Sequence, residues 1–304
     1  MASKQERLGM KNVAFIGIGK MGAQMAARLV SAGFKVTVFD PNRSAVDELV
    51  SKGAAAAANP KSAAEGADAV LFSLPTPAIL KSAITGADGV LASLDKGAVL
   101  IDFSTVDPET TKALAAEAAK KGVDFLDAPV SGGVAGATNG KLVVMVGGDA
   151  AVLERVTPLL NNLAGRIVHC GAIGAGQLTK LSHNLVVAIN TVALGEVLAA
   201  SVKAGGNLEV LCDVMSAGMA GSKMLDWFQK TLFTAERPAF FAIDLMNKDL
   251  GLCLDEFSNY PMPLGQLVKQ TYNAARAKGM GGKDSTSVSE IYEELLGVRL
   301  QTAA

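Results

Sequence analysis

Residues 12–40 read NVAFIGIGKMGAQMAARLVSAGFKVTVFD, and their pattern indicates the fold of the first half of the chain. It opens with a short apolar run, continues through GxGxxG into a helical pattern that ends at Gly33, and closes with a second strand pattern and Asp40. Glycines at these positions permit a tight turn and the close approach of a pyrophosphate to the helix N-terminus. The stretch therefore predicts a dinucleotide-binding unit.

The cofactor contacts of this unit are predicted from the motif and the strand end. They are Gly17, Ile18, Gly19, Lys20, Met21, Gly22 and Asp40. A carboxylate in the position of Asp40 accepts the ribose hydroxyls and repels a 2′-phosphate, whereas Arg43, three residues later, could favour NADP. Because Asp40 is nearer in sequence to the ribose position, we expect NAD to be preferred over NADP.

Strand and helix patterns go on alternating after this unit. Apolar runs occupy residues 69–74, 98–103, 123–128, 142–147 and 167–170. This alternation predicts a mostly parallel sheet with helices on both faces. Ligands of such sheets bind beyond the carboxyl ends of the strands, where we expect Leu74-Pro75, Ser104-Thr105 and Ser131-Gly132-Gly133. Each of these loops taken alone could also be an ordinary turn.

A stretch without proline lies between two glycine clusters, at residues 174–205, and predicts one helix of roughly 28 residues. Only helical patterns follow it. We therefore expect an α/β Rossmann-type N-terminal domain (10–173) with a mostly parallel sheet, then a long linking helix and an all-α C-terminal domain (174–304). A helix this long and apolar is hard to cover within one small helical domain, so a partner subunit is expected to cover it.

Lys180, His183 and Asn184 share one face of the first two turns of this helix, because they are spaced i, i+3 and i+4. One interpretation is a polar end on a buried helix. The other is a catalytic lysine that Asn184 positions.

Composition excludes several classes of function. The formal net charge of −1 argues against a nucleic-acid surface. The three cysteines lack a CxxC pair and there are only two histidines, so no metal site is expected. The apolar run at 185–200 is interrupted by Asn190, Thr191 and Glu196, so no membrane contact is expected. The polar start MASKQERLGMK does not look like a secretory signal, and a cytoplasmic location is expected.

Four motifs in order resemble the β-hydroxyacid dehydrogenase family, which includes 3-hydroxyisobutyrate dehydrogenase and tartronate semialdehyde reductase. They are the glycine-rich cofactor signature at 17–33, DAPVSGG at 127–133, GAGQLTKLSHN at 174–184 and NKDLGL at 247–252. The resemblance runs from about residue 12 to residue 296. It implies an NAD(P)-dependent oxidoreductase that transfers a hydride between the nicotinamide and a small β-hydroxy acid or its semialdehyde or keto form. It also implies a homodimer or homotetramer formed through the helical domain.

The resemblance carries roles to individual residues. Lys180 corresponds to the catalytic lysine, a general acid/base, and Asn184 to the catalytic asparagine. Both would also contact the substrate, together with Ser131, Gly132 and Gly133, which would hold a carboxylate. Leu74, Pro75, Thr105 and Lys248 would line the cofactor.

His183 departs from the pattern of many relatives, which carry Asn at this position. A histidine here resembles 6-phosphogluconate dehydrogenase and some sugar-acid enzymes, so a dehydrogenase of a longer polyhydroxy acid such as threonate is the alternative. The full 6-phosphogluconate interpretation is weaker, because Val187 stands where that enzyme has a catalytic Glu. His183 could also simply pack and hydrogen-bond. A non-catalytic cofactor-binding scaffold is disfavoured by the presence of Lys180.

Overall fold

The computed structural model describes residues 10–302, and the polar start on which the location was predicted lies largely outside them. The chain divides into two compact units, of which the first ends at Lys180 and the second begins at Leu181. The boundary falls inside one continuous helix. The predicted domain limits, 10–173 and 174–304, stay a prediction.

The first unit contains a nine-stranded sheet. Its strands are β1 Asn12–Ile16, β2 Lys35–Phe39, β3 Ala55–Ala56, β4 Ala69–Phe72, β5 Val99–Asp102, β6 Asp124–Asp127, β7 Val130–Ser131, β8 Leu142–Gly147 and β9 Ala164–Gly171. They are arranged in the order β3-β2-β1-β4-β5-β6-β8-β7, and β9 pairs with β8. The first six strands in chain order pair in parallel, whereas β8 runs antiparallel to β6 and β7. The prediction of a mostly parallel sheet is confirmed.

Alternate residues of the central strands enter two separate cores, which is why these strands are apolar throughout. In β1, Val13 and Phe15 belong to one core, and Ala14 and Ile16 belong to the other. Side chains of a strand point alternately to opposite faces, so a sheet covered on both faces needs apolar residues at every position.

Helices of the first unit cover the sheet. They are α1 Lys20–Ser31, α2 Arg43–Ser51, α3 Pro60–Ala64, α4 Pro77–Thr85, α5 Pro108–Lys120, α6 Gly133–Asn139 and α7 Ala150–Leu160. Several begin at side chains that accept a hydrogen bond from the first turn, among them Thr76 before α4 and Asp107 before α5. Such residues satisfy backbone N–H groups that have no partner within the helix.

The linking helix α8 is a single helix of 29 residues, Ala175–Lys203. The second unit continues with α9 Leu208–Ala217, α10 Lys223–Thr231, α11 Ile243–Glu256, α12 Pro263–Ala277 and α13 Glu290–Leu296. Two apolar clusters form within this unit. Leu181 and Leu185 of α8 pack with α11 and α12 in one cluster, and Leu194 and Leu198 pack with α9 and α10 in the other. The predicted all-α second half is confirmed.

α8 is a potential membrane-spanning helix despite the polar residues Asn190, Thr191 and Glu196. By length and composition alone it is apolar enough to cross a membrane, and 44% of its most apolar window is buried inside the protein. The two clusters of the second unit account for that composition, because a helix that serves both needs apolar residues on more than one side. The absence of membrane contact stays a prediction.

Candidate active site

The strand order of the first unit reverses at β1. From β1 the chain adds β2 and β3 on one side, and then β4, β5 and β6 on the other side. The loops after β1 and β4, which contain the GxGxxG motif and Leu74-Pro75, therefore flank the crevice where open α/β sheets bind their ligands.

The three glycines of the motif have the geometry that a dinucleotide requires. Gly17 has φ +87°, and a Cβ there would lie 2.5 Å from the carbonyl oxygen of Ser73. A Cβ at Gly22 would lie 2.0 Å from the carbonyl oxygen of Gly17, whereas one at Gly19 would meet nothing within 4 Å. Gly17 thus makes the turn, Gly22 allows helix and strand to pack closely, and Gly19 leaves space beside the N-terminus of α1. A pyrophosphate fits this loop.

Asp40 follows β2 and holds the same loop. Its Oδ2 accepts a hydrogen bond from the Ile18 N–H at 2.9 Å, and its Oδ1 accepts one from the Asn42 N–H at 2.8 Å. Arg43 is exposed at the start of α2. The carboxylate is therefore fixed beside the glycine loop at the end of β2, and its contact with the ribose stays a prediction.

The loops after β4 and β5 are joined through Ser104. Its Oγ accepts from the Leu74 N–H at 2.9 Å, and its own N–H donates to Oδ1 of buried Asp102 at 2.9 Å. Thr105 is the next residue, so the structure connects two of the predicted cofactor loops.

The fully buried Gln177 brackets Thr105 from the first turn of α8. Its Nε2 donates to the Ser104 carbonyl at 2.9 Å, and its Oε1 accepts from the Val106 N–H at 3.2 Å. The side-chain amide thereby bonds the peptide groups on both sides of Thr105. Lys180 lies three residues after Gln177 and is 9% exposed.

Asp127, at the end of β6, binds the backbone where α8 begins. Its Oδ1 accepts from the Gly174 N–H at 2.8 Å and its Oδ2 from the Gln177 N–H at 2.8 Å. Burial raises the pKa of this carboxyl, and backbone N–H donors oppose the rise. Ser131 follows four residues later in β7. Gly132 comes next, at φ +129°, and α6 then starts with Gly133 at φ +61°.

In the second unit, Asp249 of α11 contacts two of the predicted site residues, Asn184 and Lys248. Its Oδ2 accepts from Nδ2 of Asn184 at 2.6 Å, and its Oδ1 lies 3.1 Å from Nζ of Lys248. Nδ1 of His183 is 3.0 Å from Oδ1 of Asn184. Since the carboxylate accepts only, the amide must present its NH₂ group to Asp249, and Nδ1 of His183 must then be the donor to Oδ1.

Comparisons with known proteins place both units in one family. Residues 12–171 match the family model described as the NAD binding domain of 6-phosphogluconate dehydrogenase. Residues 174–292 match the model described as the NAD-binding domain of NADP-dependent 3-hydroxyisobutyrate dehydrogenase. The chain belongs to the β-hydroxyacid dehydrogenase family.

Individual relatives cover nearly the whole chain. It is 36% identical to 2-(hydroxymethyl)glutarate dehydrogenase of Eubacterium barkeri, over 94% of this chain and 96% of that protein. It is also 36% identical to NAD-dependent L-serine dehydrogenase of Pseudomonas aeruginosa, over 95% of this chain and 100% of that protein. A structure of Mycobacterium tuberculosis 3-hydroxyisobutyrate dehydrogenase with L-serine has a TM-score of 0.81 and 34% identity, covering 93% of this chain and 99% of that one. Like its relatives, this β-hydroxyacid dehydrogenase is an oxidoreductase that acts on CH–OH groups with a nicotinamide cofactor.

Three polar residues of this dehydrogenase had no role in the sequence analysis: Gln177, Asp127 and Asp249. Asp127 and Asp249 stand inside the quoted motifs, and Gln177 stands three residues before Lys180. Their hydrogen-bond partners are 47 to 73 residues away in the chain, so the local sequence pattern does not predict these bonds. Within residues 10–302, no group of three or more His, Cys, Asp or Glu side chains could hold a metal ion.

Proposed function

We propose that this chain oxidises small β-hydroxy acids reversibly, with NAD preferred over NADP and Lys180 as the general acid/base. One observation supports this most strongly. A buried lysine stands on the first turns of a helix that Asp127 and Gln177 fasten beside the predicted cofactor loop. A scaffold that only bound the cofactor would not need a lysine in this position.

The nicotinamide, when bound, accepts or donates the hydride. In alcohol oxidation, the neutral Nζ of Lys180 takes the hydroxyl proton as the hydride leaves, and in reduction its ammonium returns that proton to the carbonyl oxygen. Asn184 is oriented by Asp249 and holds the substrate oxygen or Lys180. Pro75 and Thr105 border the nicotinamide.

Ser131 and the start of α6 are proposed to bind the substrate carboxylate. The first backbone N–H groups of a helix have no partner within the helix. Gly132 and Gly133 have positive φ values, and a Cβ at Gly133 would meet nothing within 4 Å, so an anion can approach the backbone there. The named relatives act on 2-(hydroxymethyl)glutarate, L-serine or 3-hydroxyisobutyrate. Each of these acids carries its alcohol carbon β to the carboxylate, and we assign the same class to this enzyme.

A longer polyhydroxy acid such as threonate is the second candidate, because His183 is exposed and its ring donates to Asn184. In the neutral ring Nε2 is then an acceptor, which suits a further substrate hydroxyl.

The preference for NAD rests on Asp40, which Ile18 and Asn42 hold beside the glycine loop. We further propose that Lys248 reaches the cofactor, that the enzyme acts in the cytoplasm, and that it forms a homodimer or homotetramer through its helical unit. The last proposal is supported by exposed apolar residues on α8, with Val186 56% and Val197 48% exposed.

A substrate and cofactor panel tests this function. It contains 3-hydroxyisobutyrate, L-serine, 2-(hydroxymethyl)glutarate and threonate, each with NAD and with NADP, and reports kcat/KM. We expect 3-hydroxyisobutyrate or L-serine with NAD to give the highest value. A highest value for threonate would select the second candidate, and a higher kcat/KM with NADP would show that Arg43 outweighs Asp40. Binding of the coenzymes without turnover of any acid would contradict the proposed function.

A further inference from the structure

Gln177 and Asp127 link parts of the first unit that are far apart in sequence. Starting from the loop after β4, the Leu74 N–H bonds Ser104, and the carbonyl of Ser104 bonds Gln177. The N–H of Gln177 bonds Asp127, which also receives the N–H of Gly174. The hydrogen bonds therefore run without interruption from the cofactor loops to the helix that carries Lys180.

We propose that Gln177 and Asp127 are positioning residues that fix the Thr105 loop and the Lys180 turn of α8 as one rigid piece. Cofactor contact at Thr105 and proton transfer at Lys180 then keep a constant relative geometry. This inference rests on the proposed function, because it takes Thr105 as a cofactor contact and Lys180 as the proton carrier.

The two-point bond at Thr105 accounts for the rigidity. A single hydrogen bond would let the loop rotate about it, whereas Gln177 bonds the peptide groups before and after Thr105 with opposite ends of one planar amide. The amide is fully buried, so no water competes for these bonds.

Close packing fixes the Asp127 end. A Cβ at Gly176 would lie 2.4 Å from the carbonyl oxygen of Met145 and 2.8 Å from Oδ2 of Asp127. A Cβ at Gly147 would lie 2.5 Å from Oδ1 of Asp127. The start of α8 is thus held against β8 with no room for a side chain, and the Asp127 carboxylate lies directly against both glycines.

Replacement of Gln177 by Glu makes the hydrogen bonds to the Thr105 loop depend on pH. A protonated carboxyl can still donate to the Ser104 carbonyl and accept from the Val106 N–H, whereas an ionised one has only acceptors and repels that carbonyl. Burial raises the pKa of a carboxyl, by up to about 3–5 units when burial is complete. The neighbouring Asp102 and Asp127 raise it further, while Lys180 and Lys112, which lies beside Gly174, act in the opposite direction.

The test measures the dissociation constant of NADH for the folded enzyme at 25 °C between about pH 6 and about pH 9, a range above the ordinary Glu pKa of about 4.3. Gln177→Glu should bind NADH like the wild type at the low end and about tenfold more weakly at the high end, which is what one lost buried hydrogen bond amounts to. Gln177→Met removes both bonds without adding a titratable group, so its binding should be weak at every pH. In Gln177→Met at every pH, and in Gln177→Glu at the high end, kcat at saturating NAD should fall as well, because the Thr105 loop and Lys180 no longer keep a constant relative geometry.

Gln229→Glu is the matched control, because it makes the same change at an exposed position of α10. It should follow the wild type throughout. A purely structural role of Gln177 would lower the melting temperature of its variants but leave the NADH affinity of the folded protein unchanged, and this outcome would overturn the inference. Should Gln177→Glu fail to fold at high pH, wild-type affinity in Gln177→Met would overturn it equally. Failure of the wild type to bind NADH would instead refute the proposed function.

Discussion

At the scale of single residues, Lys180 shows why a buried polar side chain on an apolar helix points to chemistry. Removing an ammonium group from water costs free energy that packing alone does not return, so a structural helix would place an apolar residue there. The hydrogen bonds of Gln177 to Asp127 and to the Ser104 carbonyl fix the helical turn that carries Lys180, as a catalytic position requires.

Lys180→Arg tests the role of this amine directly. Guanidinium stays protonated and cannot serve as a base, so alcohol oxidation should fall by about 10²–10⁴-fold in kcat while NADH binding changes little. In the wild type, oxidation should rise with pH as the lysine loses its proton, and carbonyl reduction should fall. Both directions are measured by NADH absorbance across pH. An arginine variant with near wild-type turnover would leave Lys180 as a substrate anchor only.

At the scale of elements, the start of α8 depends on a carboxylate whose two oxygens both accept from backbone N–H groups. Asp127→Asn keeps the shape but directs an NH₂ group at one of those donors. We expect a loss of about 1–3 kcal/mol of unfolding free energy, the cost of a buried donor without a partner. Urea unfolding followed by circular dichroism measures it. The opposing effect is the burial of the charge, which raises the pKa of Asp127. If Asp127→Asn is as stable as the wild type, removing the cost of the buried charge outweighs the lost hydrogen bond.

The last helix, α13, is held by an ion-pair network around Arg237. Its guanidinium bonds both oxygens of Glu293 at 2.6 and 2.7 Å and lies 3.2 Å from Glu290. Burial alone would raise the pKa of Glu290, but hydrogen bonds from Lys283 and Ser287 and the charges of Arg237 and Lys283 lower it overall.

A lowered pKa in the folded state means that the network stabilises the protein above the unfolded pKa of Glu, about 4.3. That stabilisation is lost as the pH falls through the lower folded value. Glu290→Gln should therefore cost about 1 kcal/mol at neutral pH, and the difference from the wild type should shrink below about pH 4. Urea unfolding at a series of pH values measures this. A difference that stays constant down to the lowest pH would show that the charge of Glu290 is not what matters.

The elements themselves could largely be predicted, and the reason is their periodicity. The central strands and α8 lie within a few residues of the predicted runs, and only helices follow α8 in the fold, because a buried strand or a helix face repeats along the chain. Two-residue strands such as β3 and β7 have no repeat and were missed. The bonds of Gln177 and Asp249 were missed for a related reason: they join separate elements, and a polar residue inside a helix pattern does not reveal its partner.

At the scale of the whole molecule, α8 combines buried and exposed apolar faces. Leu181, Leu185 and Leu198 enter the two clusters of the second unit, whereas Val186 and Val197 remain exposed. These two valines are eleven residues apart, about three helical turns, so they lie on one side of the helix. An exposed apolar stripe of this kind is typical of a protein interface, and the proposed occupant is a second copy of this chain.

Val197→Lys tests that assembly. In a symmetric dimer each copy presents the same patch, so the substitution would bring a lysine into the apolar interface from both copies. We expect the dissociation constant of the oligomer to rise by about tenfold or more, equivalent to at least about 1.4 kcal/mol. Sedimentation velocity over a range of protein concentrations would show this as a shift to smaller species. Val50→Lys is the matched control, since Val50 is similarly exposed, at 42%, but lies on α2 in the first unit. If Val50→Lys weakens assembly and Val197→Lys does not, the interface lies on the first unit. If the wild type is a monomer at all concentrations, the stripe on α8 needs a partner other than a second copy.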